Sequence, residues 1–299
     1  MITSGCVNIG FYNEFLALQM NIWYEGRRRE VRSMHITITG NLGSGKSTVC
    51  KLLSEKYNYE IYSTGKVQRE LASQMSMTTL ELNQFMRSDK KYDTMIDDAT
   101  TRISKENKDK DIIFDSRLAW HFVDYSFKVF VAVNLSVAAE RVMNDQRGEV
   151  ENYSSLEEAK KLLSERALTE CLRYKDIYDI SYMDFSNYNL VIDSTYCTPD
   201  KIAEIIVKEA KAFYALGDAS KTTKMLVSPR RLVEKSAITE EDMDRLKSLI
   251  EEYKNIEYVI DRVLKVKKAG EDYEVVEGID QAKAAFLADV PYAAIEEVE

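Results

Sequence analysis

The chain has 299 residues, 45% hydrophobic and 30% charged, and 41 basic against 50 acidic residues give a formal charge of −9. That balance excludes wholesale disorder, while 11 Gly and 3 Pro exclude collagen-like or Pro-rich architectures. An acidic surface disfavours nucleic acid as a partner. No apolar run approaches the ~18 residues that span a bilayer, and four scattered Cys with two His fit a reduced, cytoplasmic, metal-light protein.

Residues 1–33 read as an N-terminal extension. Phe11, Phe15, Ile22 and Trp23 precede Arg27, Arg28, Arg29 and Arg32, the reverse of a signal peptide's order, and Met34 reads as the natural start. From there apolar runs at 35–39, 59–62, 111–115, 127–133 and 189–192 alternate with helical periodicity over 47–57, 66–107, 136–178 and 199–214. The alternation predicts an α/β domain over 34–215 with a parallel five-stranded sheet flanked by helices. Residues 216–224 read as a linker. Residues 225–299 carry 11 basic and 18 acidic residues and read as a small α+β domain. Its expected elements are a helix over 240–253, strands at 258–266 and 273–276, a helix over 281–288 and a last strand at 292–295.

Gly40-Asn41-Leu42-Gly43-Ser44-Gly45-Lys46-Ser47-Thr48 fits G-x-x-x-x-G-K-[ST] between a strand and an amphipathic helix. The glycines let backbone N–H groups turn toward phosphates, and the helix presents its positive end to the same place. Lys46 is expected on the β- and γ-phosphates of ATP or GTP, and Ser47 on Mg²⁺. Asp115, ending the third strand, is a second candidate for Mg²⁺ or else a helix N-cap. Arg117 follows it and suits a second anion, since its planar fork binds phosphate bidentately.

With these residues stand Ser63-Thr-Gly65-Lys-Val-Gln-Arg69 after the second strand, Ala139-Glu-Arg141, and the run from Arg166 through Glu170, Arg173 and Tyr174 to Tyr178. Asn187 to Thr195 closes the series. Over 34–207 the chain resembles the nucleoside monophosphate kinases, closest to cytidylate kinases of the archaeal type, on a P-loop NTPase fold. The resemblance implies ATP and Mg²⁺, a nucleoside monophosphate acceptor (CMP or dCMP), and roles for individual residues. Ser63, Gly65 and Arg69 begin the acceptor region, Arg117 grips the acceptor phosphate, and Arg166 and Arg173 close as lid arginines over the moving phosphoryl. Without the resemblance, Arg166 and Arg173 read as a solvated ion-pair stripe with Glu165, Glu170 and Asp176. Asp93, Asp97 and Arg102 lie in the region of base recognition. Ser116 stands where the family often has glycine and brings a hydroxyl beside the acceptor.

A nucleotide-dependent switch without acceptor turnover, and a P-loop kinase for another small molecule, remain as alternatives. The segment 225–299 is similar to ParB-like N-terminal domains through Ser228-Pro-Arg230, Gly278 and Ala284, with Gln281 in place of an arginine. That departure and the acidity point to a regulatory or self-association module in place of CTP or DNA binding.

Overall fold

Strand β1 (His35–Gly40) is buried at every position, as expected of a strand covered on both faces. In the computed structural model, which describes residues 33–88, 91–144, 153–216 and 222–298, β1 lies inside a parallel array. It pairs with β3 (Ile112–Asp115) on one side and β4 (Phe127–Ala132) on the other. Strand β2 (Glu60–Ser63) joins β3, and β5 (Leu190–Asp193) joins β4. The carboxyl ends of β1 and β3 therefore stand side by side, with Ile38 opposite Asp115. All five strands expected from the sequence are present. The expectation for 1–33 falls almost wholly outside the described residues.

The sheet does not close at five strands. Lys224–Val227, read from sequence as the end of a linker and the start of a new unit, forms β6 and pairs parallel with β5. Antiparallel β9 (Tyr292–Glu297) follows, then β7 (Val259–Ala269) and β8 (Asp272–Glu277), giving the order β2-β3-β1-β4-β5-β6-β9-β7-β8. The physical reason is the edge. Without β6, the fully buried β5 would present a row of unpaired backbone groups.

Helix α1 (Lys46–Tyr57) follows β1. The long 66–107 pattern resolves into α2 (Thr64–Gln74), α3 (Thr79–Ser88) and α4 (Lys91–Glu106). After β3 comes the short α5 (Ala119–Phe122), after β4 come α6 (Leu135–Asn144) and α7 (Leu156–Tyr178), and after β5 comes α8 (Pro199–Leu216). Ser155 starts α7 by accepting from Glu158 N at 3.2 Å, and Pro199 opens α8 where its missing N–H is harmless. The C-terminal segment adds α9 (Glu240–Arg245), α10 (Lys247–Tyr253) and α11 (Ile279–Leu287). One core face packs Leu53, Ile202 and Ile206 of α1 and α8 onto Ile36, Val129 and Ile192. The other packs Trp120, Tyr174 and Tyr188 against Phe130. A third cluster joins Leu264, Ala285 and Ile295 under α11. Among the described residues no helix is long and apolar enough to cross a membrane.

Candidate active site

Gly40 ends β1 at φ +153, and a Cβ there would overlap the Val131 carbonyl of β4. Gly43, at φ +74, would set a Cβ 2.7 Å from the Ala138 carbonyl of α6. The loop is therefore pressed between a strand and a helix at points where only glycine fits. Asn41 ties it down, its Oδ1 accepting from Val133 N at 3.2 Å. Lys46 turns back over the loop and donates from Nζ to the carbonyls of Gly40 (3.2 Å) and Asn41 (3.1 Å). Burial, aided by repulsion from Arg117, lowers its ammonium to about 7. Ser44 Oγ is buried without a hydrogen-bond partner. An orphaned hydroxyl inside a glycine cradle at a helix N-terminus is an arrangement that a phosphate oxygen satisfies.

Beside the loop lies a cavity of about 90 Å³. Residues 42–48 form one wall, Gly65 and Arg69 of α2 a second, Asp115 to Arg117 a third, and Arg166 with Glu170 of α7 a fourth. Lys46, Ser47, Arg69, Asp115, Arg117 and Arg166, all singled out in the sequence, thus meet in one small space. Ser63 does not line it. Its hydroxyl caps α2, accepting from Lys66 N at 3.4 Å, and donates to Asp115 Oδ2 at 2.9 Å, so it orients the carboxylate. Asp115 caps no helix, because α5 begins only after Leu118. The buried Ser116 hydroxyl accepts from Leu118 N at 3.3 Å.

Glu170, a member of the Arg166–Tyr178 run to which the sequence assigns no role of its own beyond an ion pair, organises the arginines. It is 2% exposed, and its two oxygens accept from Arg117 Nε at 2.9 Å and Arg166 Nε at 3.2 Å. Burial pushes its carboxyl up, but the Arg117, Arg166 and Arg173 guanidiniums outweigh this and hold it at about 2. Arg117 also donates to the Gly40 carbonyl, which locks the β3 terminus to the loop. The available signal was the i, i+4 spacing of Arg166 and Glu170 on one helix face.

Arg173 is placed differently from Arg166. It does not line the cavity and is fully buried, which also removes the solvated-stripe reading. Its Nη1 donates to Asn83 and its Nη2 to Tyr174 OH at 2.9 Å. Its Nε lies 3.4 Å from Asp93 Oδ2 as an ion pair. Seven residues of helix put both arginines on one face, but α3 and α4 cover the Arg173 end. Asp93 is thereby committed to Arg173, Asp97 accepts from Tyr178 OH, and Arg102 is exposed.

A second cavity of about 660 Å³ shares Gly43, Ser44, Gly45 and Thr48 with the first and opens on the other side of the loop. Its far walls are Val137, Glu140 and Arg141 of α6 and, after β5, Ser194, Cys197 and Ile202. Arg141 clasps that wall, donating to Ser194 Oγ at 3.1 Å and the Ser194 carbonyl at 2.7 Å.

The sequence model of the cytidylate kinase-like family matches residues 35–196. A cytidylate kinase of Haloarcula marismortui is 33% identical over 190 residues, spanning 63% of this chain and 95% of its own. One from Natronomonas pharaonis is 35% identical over 191 residues, with the same two shares. Among solved structures, the shikimate kinase of Bacteroides thetaiotaomicron superposes with a TM-score of 0.39 at 13% identity, covering 60% of this chain and 98% of its own. The family match ends before residue 225, so the ParB-like resemblance of the C-terminal segment gains no support from it.

Proposed function

The chain belongs to the cytidylate kinase-like family, and from that premise we propose that this nucleoside monophosphate kinase transfers the terminal phosphoryl of ATP to CMP or dCMP. The observation that carries the reading is the convergence of Lys46, Arg69, Arg117 and Arg166 on a cavity with Asp115 at its rim. A switch has no use for a second set of arginines facing its phosphate loop. The relatives named cytidylate kinase support cytosine as the base.

In this reading the 660 Å³ cavity takes the donor nucleoside, and the loop between the two cavities takes its phosphates. Lys46 exchanges its carbonyl partners for the β- and γ-phosphates. Arg69 and Arg117 hold the acceptor phosphate, and Arg166 meets charge on the transferred group. Phosphoryl transfer needs little covalent assistance, so positioning and charge neutralisation supply most of the rate. Glu170 holds Arg117 and Arg166 in place before substrates arrive, which spares reorganisation at the moment of transfer. Ser47 and Asp115, which line the same cavity, would hold Mg²⁺ through one or two protein oxygens, and the ion would supply charge neutralisation to the phosphates. Equal amounts of ADP and CDP appearing from ATP and CMP, separated by ion-exchange chromatography, test the assignment. ADP without CDP would oppose it.

The lowered ammonium of Lys46 gives a pH dependence. Polyphosphate favours the charged amine and raises its titration in the complex. Affinity for ATP is then highest below pH 7, and falls as pH rises through the free enzyme's value of about 7. Calorimetry at pH 8 in buffers of different ionisation enthalpy is expected to show net proton uptake on ATP binding. Binding with no proton exchange would contradict it.

A further inference from the structure

The residues beyond the family match reach back into the wall of the larger cavity. Arg231, in the short turn Pro229–Arg231 after β6, is 8% exposed, and its guanidinium is shared between two elements. Nη1 donates to Asp193 Oδ1 at the end of β5 (2.9 Å). Nε donates to Asp272 Oδ1 (2.9 Å), and Nη2 to the Glu271 carbonyl in the β7–β8 turn.

Both ends of this clamp lead to the cavity. Asp193 Oδ1 also accepts from Thr195 Oγ1 at 2.7 Å, and Thr195 Oγ1 accepts from Asn134 N at 3.1 Å, just before α6. The Glu271 carboxylate accepts from Ser136 N (3.1 Å) and Ser136 Oγ (3.2 Å) in the first turn of α6. Tyr292 OH of β9 donates to the Asp193 carbonyl at 2.6 Å. The strand end held in this way continues into Ser194, which Arg141 clasps, and the helix held in this way carries Arg141 and packs on Gly43.

We infer that Arg231, with Glu271, is a positioning residue for donor binding, so that the C-terminal segment completes the ATP side of the site and is not an independent module. Arg231 lines neither cavity beside the loop. It acts by fixing the distance between the β5 terminus and α6, and with it the width of the donor pocket. The acceptor cavity shares the phosphate loop with the donor side, but its other walls, α2, the residues after β3 and α7, are not held by this clamp, so the larger effect falls on the donor. The inference rests on the donor reading of the larger cavity given above.

The test uses the full-length chain with Arg231→Met, Arg231→Lys and Glu271→Ala. The readouts are Kd for ATP by calorimetry, and KM for ATP and for CMP at saturating partner. Arg231→Met is expected to raise the ATP Kd and KM about tenfold, with CMP KM changed less than twofold. Arg231→Lys, which keeps the charge but not the fork, is expected to fall between. Glu271→Ala removes an exposed side chain, so it leaves the fold intact and decides the matter if Arg231→Met does not fold. Its expected ATP Kd is about threefold weaker. Unchanged ATP affinity in the variants, or equal losses for ATP and CMP, overturns the inference. A wild-type chain that binds no ATP would instead fail the donor reading itself, and this inference with it.

Discussion

Lys46→Ala is expected to lower turnover by about 10³-fold while leaving the fold intact. Removing one preorganised donor of charge from a transition state costs about 10²–10³ in rate, and Lys46 Nζ reaches two of the loop's own carbonyls. Stability should change little. The Lys46 ammonium is held in a place that disfavours its charge, so deleting it relieves a desolvation cost as it removes two hydrogen bonds. Steady-state rates with thermal melts of the purified variant check both halves. Turnover within tenfold of wild type would remove Lys46 from the phosphoryl path, and a collapsed melt would make it a structural residue.

Arg173→Ala is expected to act first on stability. The guanidinium is fully buried among Asp93, Asn83 and Tyr174, with its carbon 4.8 Å above the Tyr174 ring. Truncation leaves the Asp93 carboxylate buried without its partner, and breaking a buried pair in this way costs about 3–5 kcal/mol. Removing both charges together, in Arg173→Met with Asp93→Asn, should recover much of that loss. Denaturant unfolding of the single and double variants measures it. An Arg173→Ala chain of unchanged stability with kcat down about a hundredfold would be the opposite outcome, and would return Arg173 to the moving phosphoryl.

The contrast between Arg166 and Arg173 shows where sequence reasoning stops. Helical spacing placed both on one face of α7, and they are there. What each meets depends on α3 and α4, whose packing no local pattern encodes, and Asn83 contributes to the Arg173 pocket across 90 residues of sequence. Glu170 was visible as a residue but not as a hub, since its partner Arg117 comes from the turn after β3, 53 positions away. The strands of the parallel sheet were legible because burial on both faces demands nearly continuous apolar runs. The phosphate loop was legible because its glycines answer to backbone contacts with Val131 and Ala138 that tolerate no side chain.

Strand β6 escaped for the converse reason. Lys224–Val227 is only four residues long, directly follows a polar stretch and shows no alternation, so its pairing with β5 and β9 is a property of the sheet. The elements after it were read nearly to their observed bounds as separate pieces. That they continue the same sheet, and that Arg231 reaches Asp193, could not be read from them singly.

The most direct test of phosphoryl transfer to a cytidine monophosphate is a competition of acceptors on the full-length enzyme. ADP formation from saturating ATP would be followed with CMP, dCMP, UMP, AMP, GMP and shikimate, each over a range of concentrations, to give kcat/KM. The assignment predicts that CMP or dCMP stands highest and that shikimate does not raise ADP formation above ATP alone. A higher kcat/KM for a purine monophosphate or shikimate, or no acceptor-dependent ADP at all, would contradict it.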